Sequence, residues 1–418
     1  LNVRCWRAAA ALLALAAVPA GCGSSGTQPG GFTYETTLTV YSNLPLQGPQ
    51  GALMTSINDG EILALEQAHA RGMDRNVSFA MLNDAQASAG GWSQYTTTHA
   101  ARAAGQDLGA IAYIGDFDSA ATALSLPLIN ANGILQVSPG SSYGGLTDSG
   151  GEAQVGEPAS HYPNGKRTFA RLVPTDVQEA AATVAFMRSV AVKRVYVISD
   201  TAALSAPYDS VIAPLVAHDA AGAHIAVAGA SDIDTAAPGS SSYSALLARI
   251  AGAHPDAVLL GAAPDAGARI IFRELHRALP AVKLFAPSTL GTASFLDALG
   301  AADSVTYVTS PILPLDRYPP SAQRVLSAYR SEFSSPPTAY SLYGYEAMAS
   351  VLAAIEHAGN NPATQRQNVI RAYFGLGLRH SVIGTYRIEP SGDSTLKRFA
   401  GYRVGAGGTL IELRLFSG

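Results

Sequence analysis

Serines gather where this chain turns, and they are the residues best placed to do chemistry. Ser119 closes the run Gly115-Asp116-Phe117-Asp118-Ser119, and Ser138-Pro139-Gly140-Ser141-Ser142 follows the next apolar stretch. A hydroxyl at a helix start caps the backbone and can also donate to an anion, which the unpaired N–H groups and the positive end of the helix dipole already favour. Taken alone, the same serines serve as N-caps and turn residues. Covalent catalysis has less behind it. The chain has no Gly-x-Ser-x-Gly elbow and no His-Glu-x-x-His pair, and its 9 histidines are scattered without ligand spacing. Gly375-Leu376-Gly377 and the stretch 405–408 lack the strand-to-helix context of a dinucleotide loop, and Asp232-Ile233-Asp234 does not continue into a calcium loop. The pair Asp116/Asp118 reads as solvated turn residues. A binding protein is expected, not an enzyme, with no cofactor and no metal.

The elements that must position these residues follow from hydrophobic patterning. From Thr37 onward, short apolar runs alternate with helical patterns, as in parallel sheets covered by helices, so the fold class is α/β. Runs at 37–41, 77–82, 111–114 and 134–137 form a first unit of strands. Those at 194–198, 224–228, 257–260, 283–286 and 305–308 form a second. Helices are predicted at 59–71, 92–105, 120–129, 243–250, 266–278, 321–333, 343–357 and 366–373. The polar, Gly-rich stretch 144–165 predicts a surface insertion or flexible loop, and the C-terminal stretch predicts β hairpins. Ligands of open parallel sheets bind beyond the carboxyl ends of the strands, which places both serine turns at a cleft between two lobes.

Composition agrees. At about 150 residues per domain, 418 residues make two or three domains, and 48% hydrophobic with 14% charged residues supplies a large core. A net charge of −4 offers no footprint for a polyanion, so nucleic acid is not an expected partner. Both cysteines, Cys5 and Cys22, precede the body of the chain, which excludes a disulfide, a thiolate metal site or a cysteine nucleophile further on. Arg4 and Arg7 lead into the apolar run 8–18, which is too short to span a bilayer and reads as an export signal.

Val18-Pro19-Ala20-Gly21-Cys22 resembles a bacterial lipobox, with Pro19 where that pattern prefers an aliphatic residue. The resemblance implies a signal peptide over 1–21, lipid on Cys22, and a flexible tether over 22–35. The location it implies is extracytoplasmic and membrane-anchored, in a periplasm or on the outer face of the cytoplasmic membrane.

The body resembles the leucine/isoleucine/valine-binding proteins, the type I periplasmic substrate-binding proteins of branched-chain amino acid ABC transporters. Its landmarks are Pro45-Leu46-Gln47-Gly48-Pro49, Asn58-Asp59-Gly60 taken as opening the first helix, 115–122, and Val137-Ser138-Pro139-Gly140-Ser141-Ser142. Further on come 169–176, 256–261, Tyr343-Gly344-Tyr345-Glu346-Ala347 and Ile383-Gly384-Thr385-Tyr386. The resemblance implies a two-lobed type I periplasmic binding fold with three crossover strands, near Arg171, Ser310 and Ile383. The N-terminal lobe would be 36–170 plus 311–382, and the C-terminal lobe 171–310 plus 383–418. It also implies hinge closure on a small molecule, delivery to ABC permease subunits, and a monomer.

Carried over residue by residue, Ser119, Gly140 and Ser142 fall where the family holds a carboxylate, with Asp118 and Ser141 counted beside them. Ser288 occupies the place of the acidic residue that holds an ammonium. Leu53, Leu204 and Ala263 replace aromatic wall positions, Tyr340 retains one, and Tyr208 is the nearest aromatic residue to Leu204. The expected guest has a carboxylate or acceptor-rich end and an apolar or aromatic body, and is not a standard α-amino acid, since a buried ammonium would lack a charged partner. The alternatives are a ligand-sensing lipoprotein for a membrane receptor and a degenerate binding protein with little affinity.

Overall fold

The computed structural model describes residues 37–73, 76–86, 91–201, 206–235, 241–359 and 365–417. The segments expected to be a signal peptide and a tether, Cys22 and Leu204 lie outside them. The chain begins with β1 (Leu38–Leu44), α1 (Gly51–Ala70) and β2 (Val77–Asn83), then a small antiparallel pair, β3 (Ala85–Gln86) and β4 (Gly91–Trp92). It continues through α2 (Gln94–Gln106), β5 (Ala110–Ile114), α3 (Ser119–Ala131), β6 (Leu135–Ser138) and β7 (Phe169–Arg171). These strands form a parallel sheet in the order β2-β1-β5-β6-β7. The order reverses direction at β1, which opens a crevice at the strand ends.

A second unit follows: α4 (Asp176–Ser189), β8 (Arg194–Asp200), α5 (Ala206–Asp209), α6 (Ile212–Gly222), β9 (Ala226–Ile233), α7 (Ser241–Ala253) and β10 (Ala257–Gly261). Then come α8 (Ala266–Ala278), β11 (Lys283–Ala286), α9 (Ala293–Leu296) and β12 (Thr306–Ser310). The chain returns through α10 (Pro320–Glu332), α11 (Ala339–Ala358) and α12 (Gln365–Phe374), and ends in β13 (Arg379–Ser381), β14 (Gly384–Tyr386), β15 (Arg398–Val404) and β16 (Leu410–Ser417). The second sheet runs β16-β15-β12-β11-β10-β8-β9, with β15 and β16 antiparallel additions to a parallel core.

The central strands β5, β6 and β10 are buried on both faces, which is why they read as nearly unbroken apolar runs, whereas the edge strands β2, β9 and β16 are partly exposed. In β10, Ala257 and Leu259 pack toward α4 and α6, while Val258 and Leu260 pack toward α7 and α8. In the first sheet, Val40 faces the α1 side and Tyr41 the α2 side. Among the described residues, no helix is long and apolar enough to cross a membrane.

Two expectations need correction. Asn58-Asp59-Gly60 does not open the first helix: α1 starts at Gly51, and Met54, about one turn before Asn58, and Ile57, the residue before it, are already fully buried in it. Gly60 lies mid-helix where α1 crosses α11, and a Cβ there would stand 2.1 Å from the Ser341 carbonyl oxygen. Nor is 144–165 a featureless surface loop. It makes two 3-10 turns, Gly144–Leu146 and Ala159–His161, and buries Leu146, His161 and Tyr162.

Gly60→Ala must push α1 and α11 apart. We predict a loss of about 1–3 kcal/mol in urea unfolding; an unchanged midpoint would mean that the two helices do not need this close approach.

Candidate ligand-binding cleft

The loop after β5 and the turn after β6 lie at the carboxyl ends of their strands and are knotted together by serine hydroxyls. Ser119 Oγ accepts the N–H groups of Ser142 and Tyr143, each at 3.1 Å. A hydroxyl oxygen so occupied keeps one function, donation of its proton. Ser138 Oγ donates to the Asp116 carbonyl at 2.7 Å and accepts the N–H of Ser141 at 2.8 Å and of Gly140 at 3.2 Å. Ser141 is fully buried, with Oγ 2.6 Å from Thr122 Oγ1 and bonded to the Asp116 carbonyl, so its hydroxyl is committed inside the lobe. Ser142 is half-buried. Gly140 has no room for a side chain, since a Cβ would lie 2.5 Å from the Phe117 ring.

Beneath the turn lies Arg171, fully buried at the end of β7. Its Nη1 donates to the carbonyls of Ser141 at 3.0 Å and Tyr143 at 2.8 Å, and Nη2 donates to Thr147 Oγ1 at 2.9 Å. Its Nε stands 2.9 Å from Asp393 Oδ1. Because a trans peptide points its C=O and N–H in opposite directions, a Ser141 carbonyl turned to the guanidinium aims the Ser142 N–H away from it, toward Ser119.

Asp116 is not the solvated turn residue expected from sequence; it is fully buried. Its Oδ1 accepts from Asn43 Nδ2 at 2.5 Å and from the Tyr113 hydroxyl at 3.0 Å. Asp116 Oδ2, Asn43 Oδ1 and Asp84 Oδ1 are buried with no donor. Burial, reinforced by Asp116 and Asp118, pushes the Asp84 carboxyl up to about 8. Burial raises Asp116 to about 6 against its hydrogen bonds, and burial with the charge of Asp116 raises Asp118 to about 7. Asp118 is the N-cap of α3, yet its side chain makes no capping bond. Among the described residues, no group of three or more His, Cys, Asp or Glu side chains is arranged to hold a metal ion.

The apolar wall comes from α1, the β5 loop and α11. Leu53, Leu46, Phe117 and Tyr340 pack over buried Leu44, Met54 and Ile57, with the Phe117 and Tyr340 rings edge-on at 5.2 Å. Tyr340 is therefore not the lone aromatic group. Phe117 escaped notice although its loop had been singled out.

On the facing lobe, Ala263 and Ser288 lie half-buried just beyond β10 and β11. Glu179, in the first turn of α4, accepts both the N–H and the hydroxyl of Ser288, each at 2.6 Å. A carboxyl is thus present at the Ser288 position, supplied by a helix that sequence patterning did not pick out. The premise that this half of the cleft lacks an acid is corrected. Burial pushes the Glu179 carboxyl up to about 8, with its bonds to Ser288 acting against that. The Tyr340 phenol is raised by burial and then by Tyr318, Glu179 and Asp118, which places it where both lobes meet. The Asp176 N–H, at the start of α4, donates to the Ser142 carbonyl at 3.0 Å and joins the second lobe to the serine turn.

Two parallel α/β sheets whose strand ends converge on one cleft define a type I periplasmic binding fold. The sequence pattern of the periplasmic binding protein family matches residues 42–409, and the chain belongs to that family. A leucine-binding protein from Thermotoga maritima superposes with a TM-score of 0.74 at 18% identity, covering 91% of this chain and 99% of that one. A branched-chain amino acid transporter substrate-binding protein from Streptococcus pneumoniae, solved with isoleucine, gives 0.71 at 15% identity over 91% and 100%. A solute-binding protein from R. palustris, solved with benzoate, gives 0.67 at 17% identity over 91% and 96%. No curated protein matches the chain in sequence.

The raised carboxyls fix a pH dependence. Unfolded Asp titrates near 4, so between about 4 and the folded values of about 6 to 8 the native state holds protons that the unfolded chain releases. Their stabilisation is complete below that window and is lost as pH rises through it. Asp84→Asn removes one of these groups, and its melting temperature should fall less steeply from pH 5 to 8 than that of the wild type. Parallel slopes would show that Asp84 is ionised throughout.

Proposed function

We propose that this protein is an extracytoplasmic solute-binding protein that closes on a small carboxylate-bearing ligand with an apolar or aromatic body. It delivers that ligand to the permease subunits of an ABC importer, as a monomer held to the membrane by lipid on Cys22. The two lobes are 36–170 plus 311–382 and 171–310 plus 383–418, turning about crossovers near Arg171, Ser310 and Ile383. One observation carries the reading: Ser119, at the start of α3, has its oxygen saturated by two N–H groups and its proton left to donate, beside the half-buried Ser142.

The carboxylate meets the Ser119 and Ser142 hydroxyls at the positive end of α3. The body of the ligand lies against Leu53, Phe117 and Tyr340, with Ala263 and Ser288 closing from the other lobe. An ammonium seated against Ser288 favours the ionised form of the Glu179 carboxyl behind it, so α-amino acids belong beside benzoates among the ligands to be tried.

Calorimetry against leucine, isoleucine, benzoate and 4-hydroxybenzoate tests this. At least one should bind, and Ser142→Ala should weaken it roughly 10- to 150-fold, the worth of one hydrogen bond to a charged group. Ser119→Ala should weaken it further and also lower the melting temperature, because two N–H groups lose their acceptor. Binding indifferent to both substitutions would contradict the assignment.

A further inference from the structure

The stretch 144–165 is tied to the first lobe at several points. The Tyr143 hydroxyl donates to Glu157 Oε2 at 2.7 Å and to the Glu152 carbonyl at 2.8 Å, His161 Nε2 lies 3.0 Å from Glu157 Oε1, and the Tyr162 hydroxyl donates to the Leu146 carbonyl at 2.8 Å. Thus braced, Tyr143, Leu146 and Tyr162 combine with Ala123 and Leu126 of α3 and Phe169 of β7 into a buried apolar socket.

Two side chains pack into this socket from the second lobe, Tyr208 of α5 and Val211 at the foot of α6. The Tyr208 ring meets the Tyr143 ring edge-on, with centroids 5.0 Å apart and planes at 82°. Tyr208 is partly buried against the socket, and burial with the charge of Glu157 raises its phenol. Ile212 and Ala213, next along the chain, belong to the core of the second lobe, so Tyr208 moves with that lobe while its socket moves with the other.

We propose that Tyr208 and its socket form a latch between the lobes, which favours the closed state whether or not ligand is present and sets how long a ligand stays. The proposal rests on the hinged-capture reading above. None of these side chains is among those assigned to the ligand, so the contact contributes its free energy to closure alone. A ligand then binds a protein whose competent state is already populated, and loosening the latch weakens binding by the fraction of closed molecules lost.

The test uses small-angle X-ray scattering and amide hydrogen exchange on the ligand-free full chain, with wild type, Tyr208→Ala, Tyr208→Phe and Val211→Ala. The alanine variants should show a larger radius of gyration. They should also show about tenfold faster exchange at cleft-facing amides of both lobes, 138–143 and 286–290, the factor that corresponds to 1.4 kcal/mol of closure. Tyr208→Phe keeps the ring contact and should match the wild type in both. Its agreement separates the latch from general loosening, since the folded core of each lobe should exchange alike in all four proteins. Wild type and Tyr208→Ala scattering alike would overturn the latch, as would Tyr208→Phe opening like the alanine variant. If millimolar leucine or benzoate compacts both proteins equally, the latch fails and the capture reading stands. If scattering responds to neither substitution nor ligand, both fall.

Discussion

The cleft depends on one buried guanidinium. Arg171 ends the last strand of the first sheet, and it holds the Ser141 and Tyr143 carbonyls inward. That grip orients the intervening amides toward Ser119, and with Asp393 it ties the C-terminal part of the chain to the same point. An uncompensated buried cation is very costly, so the pairing with Asp393 is what permits Arg171 to sit there at all. On the proposed reading, the residue that shapes the anion-binding turn is also the one at which the chain leaves the first lobe, and site and hinge would share one contact network.

Around this cation stand carboxyls whose affinity for a proton is raised by burial. Asp84, Asp116 and Asp118 underlie the Ser119 loop, and Glu179 lies across from them. Were all of them ionised, they would oppose an incoming carboxylate; protonated, they are hydrogen-bond donors and leave the positive end of α3 as the dominant field. On the proposed reading, selectivity would depend on which acids keep their protons as much as on which hydroxyls face the guest.

What the sequence made legible follows from physics that acts locally. Strands buried on both faces read as apolar runs, so 283–286 coincides with β11 and 257–260 falls within β10. Ser119 was recognisable as a helix start, though not in the capping role expected of it: Asp118 is the N-cap, and the Ser119 hydroxyl accepts instead from the turn after β6. Glu179 was not: its partner Ser288 is 109 residues away, and only the fold brings α4 to the end of β11. The start of α1 was missed because a Gly/Pro loop precedes it and Gly60 interrupts it. The stretch 144–165 looked loop-like because its order comes from side chains such as Tyr143 and Glu157 bonding within it, which leaves no periodic pattern. Leu53 and Tyr340 pack in one cluster with Phe117, whereas the Ser141 hydroxyl is turned into the lobe.

The most direct check is a crystal structure of the protein with a guest retained through purification or soaked in from the carboxylates tried by calorimetry. The account predicts the guest's carboxylate within hydrogen-bonding distance of the Ser119 and Ser142 hydroxyls, with its body against Phe117 and Tyr340. A guest held only by the second lobe, or one whose carboxylate points away from α3, would contradict it.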